Sequence, residues 1–182
     1  MKLFKSFFFL IFFAIIQRGI FPWCQIYFTP RDDIKSHLIE FIKQERKSID
    51  AALYMITDKS ISQELINAHL RGVNIHLILD QISMNERFGK GTFLQNNGVS
   101  ILIHKTQNCN PFCMPLMHHK FFIFGLNSLL KKSLLWTGSF NCTQNASKLN
   151  DENVIITDDA TVIGEYKNCF IQLSQRLLAK PE

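Results

Sequence analysis

Apolar residues recur along this chain with two periods, and each period predicts one kind of secondary structure. Val73, Ile75, Leu77 and Leu79 stand at every second position, a spacing that is typical of a strand. Between residues 32 and 46 the apolar residues recur at intervals of three and four, which indicates an amphipathic helix. The pattern therefore predicts both strands and helices.

The same two patterns predict seven strands and five helices. The predicted strands cover residues 25–28, 48–54, 73–80, 99–103, 118–124, 133–137 and 153–157. The predicted helices cover residues 32–46, 58–71, 86–96, 141–147 and 160–178. Because strands and helices alternate through the first half, we expect an α/β fold with a mixed, largely parallel sheet flanked by helices. Strands 118–124 and 133–137 are expected to form one antiparallel hairpin.

Residues 1–23 form a segment of different composition. Two lysines precede an apolar run at residues 6–16, and an arginine follows it. A basic start before a short apolar core is typical of a secretory signal, and a membrane span needs roughly 20 apolar residues. Residues 19–23 are also apolar and offer no clean cleavage site, so an uncleaved membrane anchor is the alternative. We expect an exported protein, periplasmic or secreted, with residues 24–182 as its single domain.

The formal net charge of +5 overstates the basic character of that domain. Lys2, Lys5 and Arg18 supply three of these charges, and residues 1–23 contain no acid, which leaves +2 for the remainder. Attraction to nucleic acid must therefore come from a local patch. The candidates are Arg87, Lys90, Lys105, Lys131 and Lys132, of which the last two are expected beside a glycine-serine turn as substrate-binding residues.

Five cysteines cannot all pair within one chain. Cys109 and Cys113 lie in the segment CNPFC, just before the predicted strand 118–124. A small disulfide in an oxidising compartment, two free thiols and a zinc site all remain open for this pair. Cys142 and Cys169 are expected to be small core residues.

The segment with the most chemistry is Met117-His118-His119-Lys120. Residues i and i+2 of a strand project from the same face, so His118 and Lys120 can converge on a single ligand. A neutral imidazole is a nucleophile and a lysine neutralises anionic oxygen, which together suit attack on a phosphodiester. His119 is either a further substrate-binding residue or a structural residue beside the strand.

Two more segments follow in order, Thr137-Gly138-Ser139-Phe140-Asn141 and Asp151-Glu152-Asn153. Together with the histidine and lysine they resemble the phospholipase D superfamily, whose signature is H-x-K-x4-D followed by G-S-x-N. The stretches MHHKFFIFG and LLWTGSFNCTQNASKLNDENVII are similar to members with a single H-x-K motif. These members are small secreted bacterial endonucleases and mitochondrial, Zucchini-type phosphodiesterases. The resemblance covers Cys24 to about Leu178 and implies a phospholipase D-like fold.

The resemblance also implies catalytic roles. His118 would be the nucleophile that forms a phosphohistidine, and Lys120 and Asn141 would hold the phosphate oxygens. Ser139 would support that pocket, and Glu152 would orient and polarise the histidine through its second ring nitrogen.

The chain contains one H-x-K motif, whereas a second histidine must protonate the leaving oxygen. The resemblance implies a homodimer in which the partner's His118 is this general acid. It implies no metal and no cofactor, because cationic side chains neutralise the phosphate charge.

One residue departs from the signature. Its aspartate would fall five residues after Lys120, where this chain has Gly125, and the loop 126–132 looks longer than the usual tight turn. This aspartate is the signature residue farthest from phosphate chemistry, so we interpret its loss as a structural change. Asn127 or a rearranged loop could compensate for it.

Three functions follow from these residues. The leading hypothesis is a metal-independent phosphodiesterase that cleaves nucleic acid, preferably single-stranded DNA or RNA, because a narrow dimer groove admits single strands. The alternative is a phospholipase D-type enzyme acting on a phospholipid, whose acyl chains could contact the apolar segment 110–117, itself equally suited to a dimer contact. A non-catalytic phosphate-binding module is the third, and Gly125 is its only support. One such site can cleave any accessible phosphodiester, so the fold does not choose between these substrates.

Overall fold

The structure is a computed structural model, and it describes residues 22–105 and 116–179. Its strands are β1 (Cys24–Phe28), β2 (Ser48–Leu53), β3 (Asn74–Asp80), β4 (Ser100–His104), β5 (Lys120–Asn127), β6 (Lys132–Gly138) and β7 (Asn153–Thr157). Its helices are α1 (Ile34–Gln44), α2 (Lys59–Leu70), α3 (Ile82–Asn85), α4 (Gly91–Asn96), α5 (Gln144–Lys148) and α6 (Ala160–Leu178). The apolar run 6–16, the pair Cys109 and Cys113, and most of the segment 110–117 lie outside the described residues.

The seven described strands form one sheet in the order β1-β7-β6-β5-β2-β3-β4. The predicted α/β class, mixed sheet and flanking helices are confirmed, but the expectation of a largely parallel sheet is wrong. Four adjoining pairs are antiparallel, and two pairs, β2 with β3 and β3 with β4, are parallel. A short turn reverses the chain between β5 and β6, and the longer segment 139–152, which contains α5, reverses it between β6 and β7. Strand β1 pairs with β7 at the far edge instead of with β2. The predicted β5–β6 hairpin is confirmed.

Helices cover both faces of the sheet. Helices α1 and α2 pack on one face, where Leu38, Ile42 and Leu65 are fully buried against strand residues such as Phe122. On the other face α6 contributes Phe170 and its neighbours to a second core. Each fully buried side chain of this size stabilises the fold by about 1.5–3 kcal/mol. The two cores fix the sheet whose ends carry the polar residues described below.

A turn interrupts the helix that the sequence predicts over residues 86–96. Helices α3 and α4 fold back on each other instead, because two glycines allow close contacts between them. A Cβ at Gly89 would lie 2.3 Å from the Ser83 carbonyl oxygen, and a Cβ at Gly91 would lie 2.1 Å from the Met84 sulfur. The intervening residues 86–90 form an exposed turn near the end of the sheet.

A buried glutamate supports the β5–β6 hairpin next to Gly125. The Glu45 carboxylate is inaccessible to solvent, and its Oε1 accepts hydrogen bonds from the backbone N–H groups of Lys47, Ser48 and Leu126 at 2.7, 3.1 and 2.8 Å. A Cβ at Gly125 would lie 2.5 Å from Ser48 Oγ, so only glycine fits here without displacement. A carboxylate from α1's C-terminal cap thus reaches the part of β5 where the signature aspartate is absent.

Asn127 contacts the turn of the hairpin. Its side-chain oxygen accepts hydrogen bonds from the N–H groups of Leu129 and Leu130, both at 3.1 Å, and so stabilises the turn of the hairpin.

Within the described residues, no helix is both long and apolar enough to cross a bilayer.

Candidate active site

The polar residues of the signature meet at one end of the sheet. Strands β5 and β6 are antiparallel, so the start of β5 lies beside the end of β6, and Phe121 pairs with Thr137. Strand β7 begins at Asn153 next to the end of β6. The three predicted segments of the site therefore converge, as the sequence indicates.

His118 and Lys120 form the centre of this cluster. The Lys120 ammonium lies 3.1 and 3.2 Å from the two ring nitrogens of His118 and donates a hydrogen bond to the His118 carbonyl oxygen at 2.9 Å. An ammonium can donate only to an imidazole nitrogen that carries no proton, which is the form a nucleophile requires. The predicted convergence of these two side chains is confirmed.

Tyr54 packs against both catalytic candidates. Its ring centroid is 4.4 Å from that of His118, and the Lys120 nitrogen lies 5.3 Å from the same ring centroid. Tyr54 follows Leu53, which pairs with Lys120 across β2 and β5. Tyr54 was not among the predicted site residues, although its position at the end of a predicted strand favours such a role, because open sheets bind ligands at strand ends.

The pKa of Lys120 is lowered from the ordinary lysine value of 10.5. Partial burial is the main cause, because it disfavours the charged ammonium. The negative charge of Glu152 acts in the opposite direction and raises this pKa. Glu152 therefore helps to keep Lys120 charged, so that it can neutralise a phosphate oxygen.

Glu152 belongs to a hydrogen-bond network with Ser139. The Ser139 hydroxyl donates to Glu152 Oε2 and accepts from the Asn153 N–H at 3.0 Å. Asn150 Nδ2 donates to Glu152 Oε1 at 3.0 Å, and the Glu152 N–H donates to the Thr29 hydroxyl at 2.7 Å. The carboxylate is largely buried and fixed in position.

Among the described residues, this carboxylate has no hydrogen bond to His118. The predicted role of Glu152 in orienting the imidazole is therefore not visible as a direct contact in the single chain. Its charge acts on Lys120, and its hydrogen bond holds Ser139.

Asn141 lies on the turn that follows β6. Its neighbour Cys142 is buried, donates its N–H to the Met55 carbonyl at 3.2 Å and accepts from the Thr57 N–H at 2.9 Å. These bonds attach the turn to the segment after β2. The Asn141 side-chain oxygen is buried and has no hydrogen-bond partner among the described residues. Buried unpaired groups are uncommon and are often explained by a catalytic role, so Asn141 is kept among the candidate residues of the site.

A buried aspartate fixes the residue before His118. Asp80 accepts hydrogen bonds from the Met117 N–H at 2.9 Å and from the Ile82 N–H at 3.1 Å. His104 lies beside it, with Nδ1 3.6 Å from the carboxylate. Asp80 ends β3 and was missed by the sequence analysis. It holds the backbone that presents His118.

His119 lies apart from this pocket. Its ring packs edge-on against Phe121, on the face of the sheet that α6 covers, and it lines a small cavity with Arg176. Burial is the first cause that lowers its pKa below 6.5, followed by the electrostatic effects of its neighbours Lys120 and His118 and of Arg176. The structure thus does not bring this predicted substrate-binding residue to His118.

Lys131 and Lys132 also lie elsewhere. They belong to the turn and start of β6, where Lys132 pairs with Asn127, whereas the catalytic turn follows Gly138 at the other end of that strand. The six residue steps from Lys132 to Gly138 separate the two ends of β6 by about 20 Å. Lys132 is moreover ion-paired with Asp158. The prediction that these lysines lie beside the glycine-serine turn is wrong. The turn of a hairpin lies at one end of the paired strands, and the glycine-serine turn follows β6 at the other end.

The described residues contain no group of three or more histidine, cysteine or acidic side chains that could hold a metal ion.

Cys24, Cys142 and Cys169 are free thiols. Cys142 is a core residue as predicted, and burial raises the pKa of its thiol. Cys169 is half-buried. A histidine, a lysine and an asparagine at one end of a mixed sheet are the residue types that suit nucleophilic attack on a bound phosphate.

Comparison with known proteins agrees with this class. The profile of the family described as "Cardiolipin synthase, PLD-like domain" matches residues 38–174. The chain belongs to this family of phospholipase D-like domains. The similarity therefore covers all three segments of the candidate site and most of the sheet.

Two curated relatives and one solved structure illustrate the similarity. A phospholipase D of Rickettsia bellii is 32% identical over 139 residues, which are 76% of this chain and 63% of that protein. A mitochondrial cardiolipin hydrolase of Xenopus tropicalis is 25% identical over 162 residues, 88% of this chain and 71% of that protein. The structure of NucT from Helicobacter pylori superposes with a TM-score of 0.73 at 20% identity, covering 87% of this chain and 96% of that one. The chain thus spans less than two thirds of the length of the Rickettsia relative.

Proposed function

We propose that this protein is a metal-independent phosphodiesterase that cleaves single-stranded nucleic acid through a phosphohistidine intermediate. The observation that carries the proposal is the contact of the Lys120 ammonium with the His118 imidazole, 3.1 Å apart, at the end of the sheet where Asn141 follows β6. This arrangement offers a nucleophile, a cation and a polar amide to one tetrahedral phosphate.

The reaction takes two steps. His118 attacks phosphorus, so that a nitrogen–phosphorus bond forms while the bond to the leaving oxygen breaks. The partner's His118 gives its proton to that oxygen. Water then attacks phosphorus and gives a proton back to the partner's His118, and the nitrogen–phosphorus bond breaks to release His118 and the phosphate product.

The other residues hold the charge that develops on phosphate. Lys120 neutralises an equatorial oxygen, and the Asn141 carboxamide binds a second oxygen. Glu152 raises the pKa of Lys120 and fixes the Ser139 hydroxyl, which supports the pocket. Tyr54 limits the movement of His118 through its ring contact.

A homodimer supplies the second histidine, because the chain contains a single H-x-K motif. A two-fold axis through the site places the two His118 side chains on opposite sides of one phosphate. The segment 1–23 directs export, as a signal peptide or as a membrane anchor, to the periplasm or the exterior.

Resemblance to the small secreted endonucleases supports nucleic acid as the substrate. The second candidate is a phospholipid headgroup, which the names of the Rickettsia and Xenopus relatives favour. Both substrates contain a phosphodiester, so experiment must separate them.

The test offers the purified full-length chain labelled single-stranded DNA, RNA, duplex DNA and phospholipid vesicles, all in excess EDTA. We expect cleavage of the single strands, and we expect His118→Ala to abolish it. His119→Ala is the matched control, because this neighbouring imidazole packs on the other face and should retain most activity.

Release of phospholipid headgroups without cleavage of any nucleic acid would show that the protein acts on lipids. Activity that EDTA removes, or that survives His118→Ala, would contradict the proposed mechanism. If a folded dimer cleaves none of these substrates, the chain is a phosphate-binding module.

A further inference from the structure

A groove of about 620 Å³ is lined by residues that follow two members of the candidate active site, Tyr54 and Asn141, in the chain. One wall is the segment from Met55 to Lys59, which directly follows Tyr54, the residue in contact with His118. The opposite wall is formed by residues 143–145, which follow Asn141. Both walls thus continue the backbone of residues in the candidate active site.

Backbone hydrogen bonds join the walls into one rigid unit. Cys142 bonds to Met55 and Thr57, as described above, and connects the first two walls. The third wall is the turn 86–90, whose Lys90 N–H donates to the Ile56 carbonyl at 3.0 Å. The groove is therefore formed before a ligand binds.

The turn holds an aromatic ring out in solvent. Phe88 is 65% exposed and lines the groove. The close approach of Gly89 to the Ser83 carbonyl fixes the backbone beneath it. The Arg87 guanidinium lies 5.3 Å from the centre of the Phe88 ring. An exposed ring on a fixed turn beside a cation is the kind of platform on which a nucleobase stacks.

Two lysines of the groove carry free positive charge. Lys59 and Lys90 line it, and neither has an ion-pair partner within the described part of the chain. Elsewhere Lys35 is paired with Asp58 at 2.8 Å. Glu86 offsets one positive charge of the groove, and the neighbouring Arg87 adds one. The surplus favours an anionic ligand.

We propose that this groove binds the nucleotide adjacent to the scissile phosphate of a single-stranded nucleic acid. Lys59 and Lys90 bind its phosphate, and Phe88 stacks on its base. A platform of this kind accepts any base, because every base has a flat apolar face. The inference rests on the proposed function and adds to it the surface that makes a polymer a better substrate than an isolated phosphodiester.

The test compares two substrates of the full-length protein, a labelled single-stranded 12-mer and bis(p-nitrophenyl) phosphate, which is too small to reach the groove. The measured quantity is the ratio of kcat/KM for the two. We expect Phe88→Ala to lower this ratio about tenfold, because one base loses its stacking partner, and Phe88→Trp to restore it. Leu129→Ala is the matched control, since Leu129 is 67% exposed and lies at the far end of the hairpin.

The lysines are tested by salt dependence. Replacing Lys59 and Lys90 by glutamine should reduce the slope of log KM against log salt concentration by about 0.7 for the single-strand phosphate they bind. Lys131→Gln is the control at the opposite end of β6, and its slope should match that of the unmodified protein.

Two results separate this inference from the proposed function. If the unmodified protein hydrolyses the small substrate and no oligonucleotide, the nucleic-acid function fails and the groove assignment fails with it. If it cleaves the 12-mer and Phe88→Ala behaves like Leu129→Ala, only the groove assignment is overturned. An effect of Phe88→Ala on phospholipid vesicles alone would likewise overturn the nucleotide assignment, in favour of a lipid contact.

Discussion

At the scale of single residues, opposing effects act on Lys120. Burial lowers the pKa of its ammonium, and the carboxylate of Glu152 raises it. The net result is a lowered pKa, so the ammonium loses its proton at a lower pH than an exposed lysine does. In the proposed mechanism the charged form of Lys120 binds phosphate, so this balance determines activity at alkaline pH.

We therefore predict that kcat/KM falls at alkaline pH with a midpoint below 10.5. In Glu152→Gln the charge that raises the pKa of Lys120 is removed, so the midpoint should move to still lower pH. A pH profile of hydrolysis of bis(p-nitrophenyl) phosphate measures both midpoints. Glu165→Gln, an exposed position on α6, is the control and should leave the profile unchanged. An unchanged midpoint in Glu152→Gln would show that this carboxylate does not act on Lys120.

Residue chemistry was predictable where it depended on local spacing. The convergence of His118 and Lys120 follows from the two-residue period of a strand, and the structure confirms it. The contact with Tyr54 was not predictable, because it depends on the pairing of β2 with β5, which are far apart in the chain. The same holds for Asp80, whose bond to Met117 joins the ends of separate elements.

At the scale of elements, the site depends on how closely β6 and β7 approach each other. Gly138 ends β6, and a Cβ there would lie 2.1 Å from the Asn153 carbonyl oxygen and 2.9 Å from the Val154 Cα. The glycine of the G-S-x-N segment is thus required by backbone contact. This contact brings Ser139 within hydrogen-bond distance of Glu152.

We predict that Gly138→Ala destabilises the protein by about 3 kcal/mol, because β7 must move to admit the methyl group. Activity should fall further than the unfolded fraction explains, since the same movement separates Ser139 from Glu152. Chemical denaturation and kcat/KM measure the two effects. Gly164→Ala on α6 meets nothing within 4 Å and serves as the control, with unchanged or slightly raised stability. A stable, fully active Gly138→Ala would contradict the argument.

Element positions were mostly predictable, whereas strand direction was not. The bounds of β7 and α6 agree with the apolar pattern. The direction of β1 relative to its neighbour could not be read from that pattern, because periodicity reports which face of a strand is buried and not which strand lies beside it. The turn 86–90 was missed because its cause is the packing of Gly89 and Gly91 on α3.

At the scale of the whole molecule, the proposed mechanism makes the site of one chain half of a larger site. His118 is exposed at the end of the sheet, and the chain carries one H-x-K motif. In the proposed mechanism the second histidine comes from another copy, so catalysis requires association. The shared site can form only where these exposed strand ends face each other.

We predict that specific activity is constant at high protein concentration and falls in proportion to concentration once the dimer dissociates. Sedimentation measured over the same dilution series gives the fraction of dimer. The two curves should coincide, because each dimer contains one complete site. Constant specific activity in samples that sediment as monomers would exclude the shared site. Carrier protein in the buffer controls for losses to surfaces.

The presence of Gly125 in place of the signature aspartate has a consequence for recognising related chains. A search rule that demands an aspartate at this position would reject this sequence, although its histidine and lysine converge as the mechanism requires. The carboxylate next to this position comes instead from Glu45, 80 positions earlier in the chain, and the missing side chain leaves room for Ser48. A better rule would accept glycine at this position whenever an acidic residue ends the first helix. Sequences discarded as decayed members could then be reconsidered as intact ones.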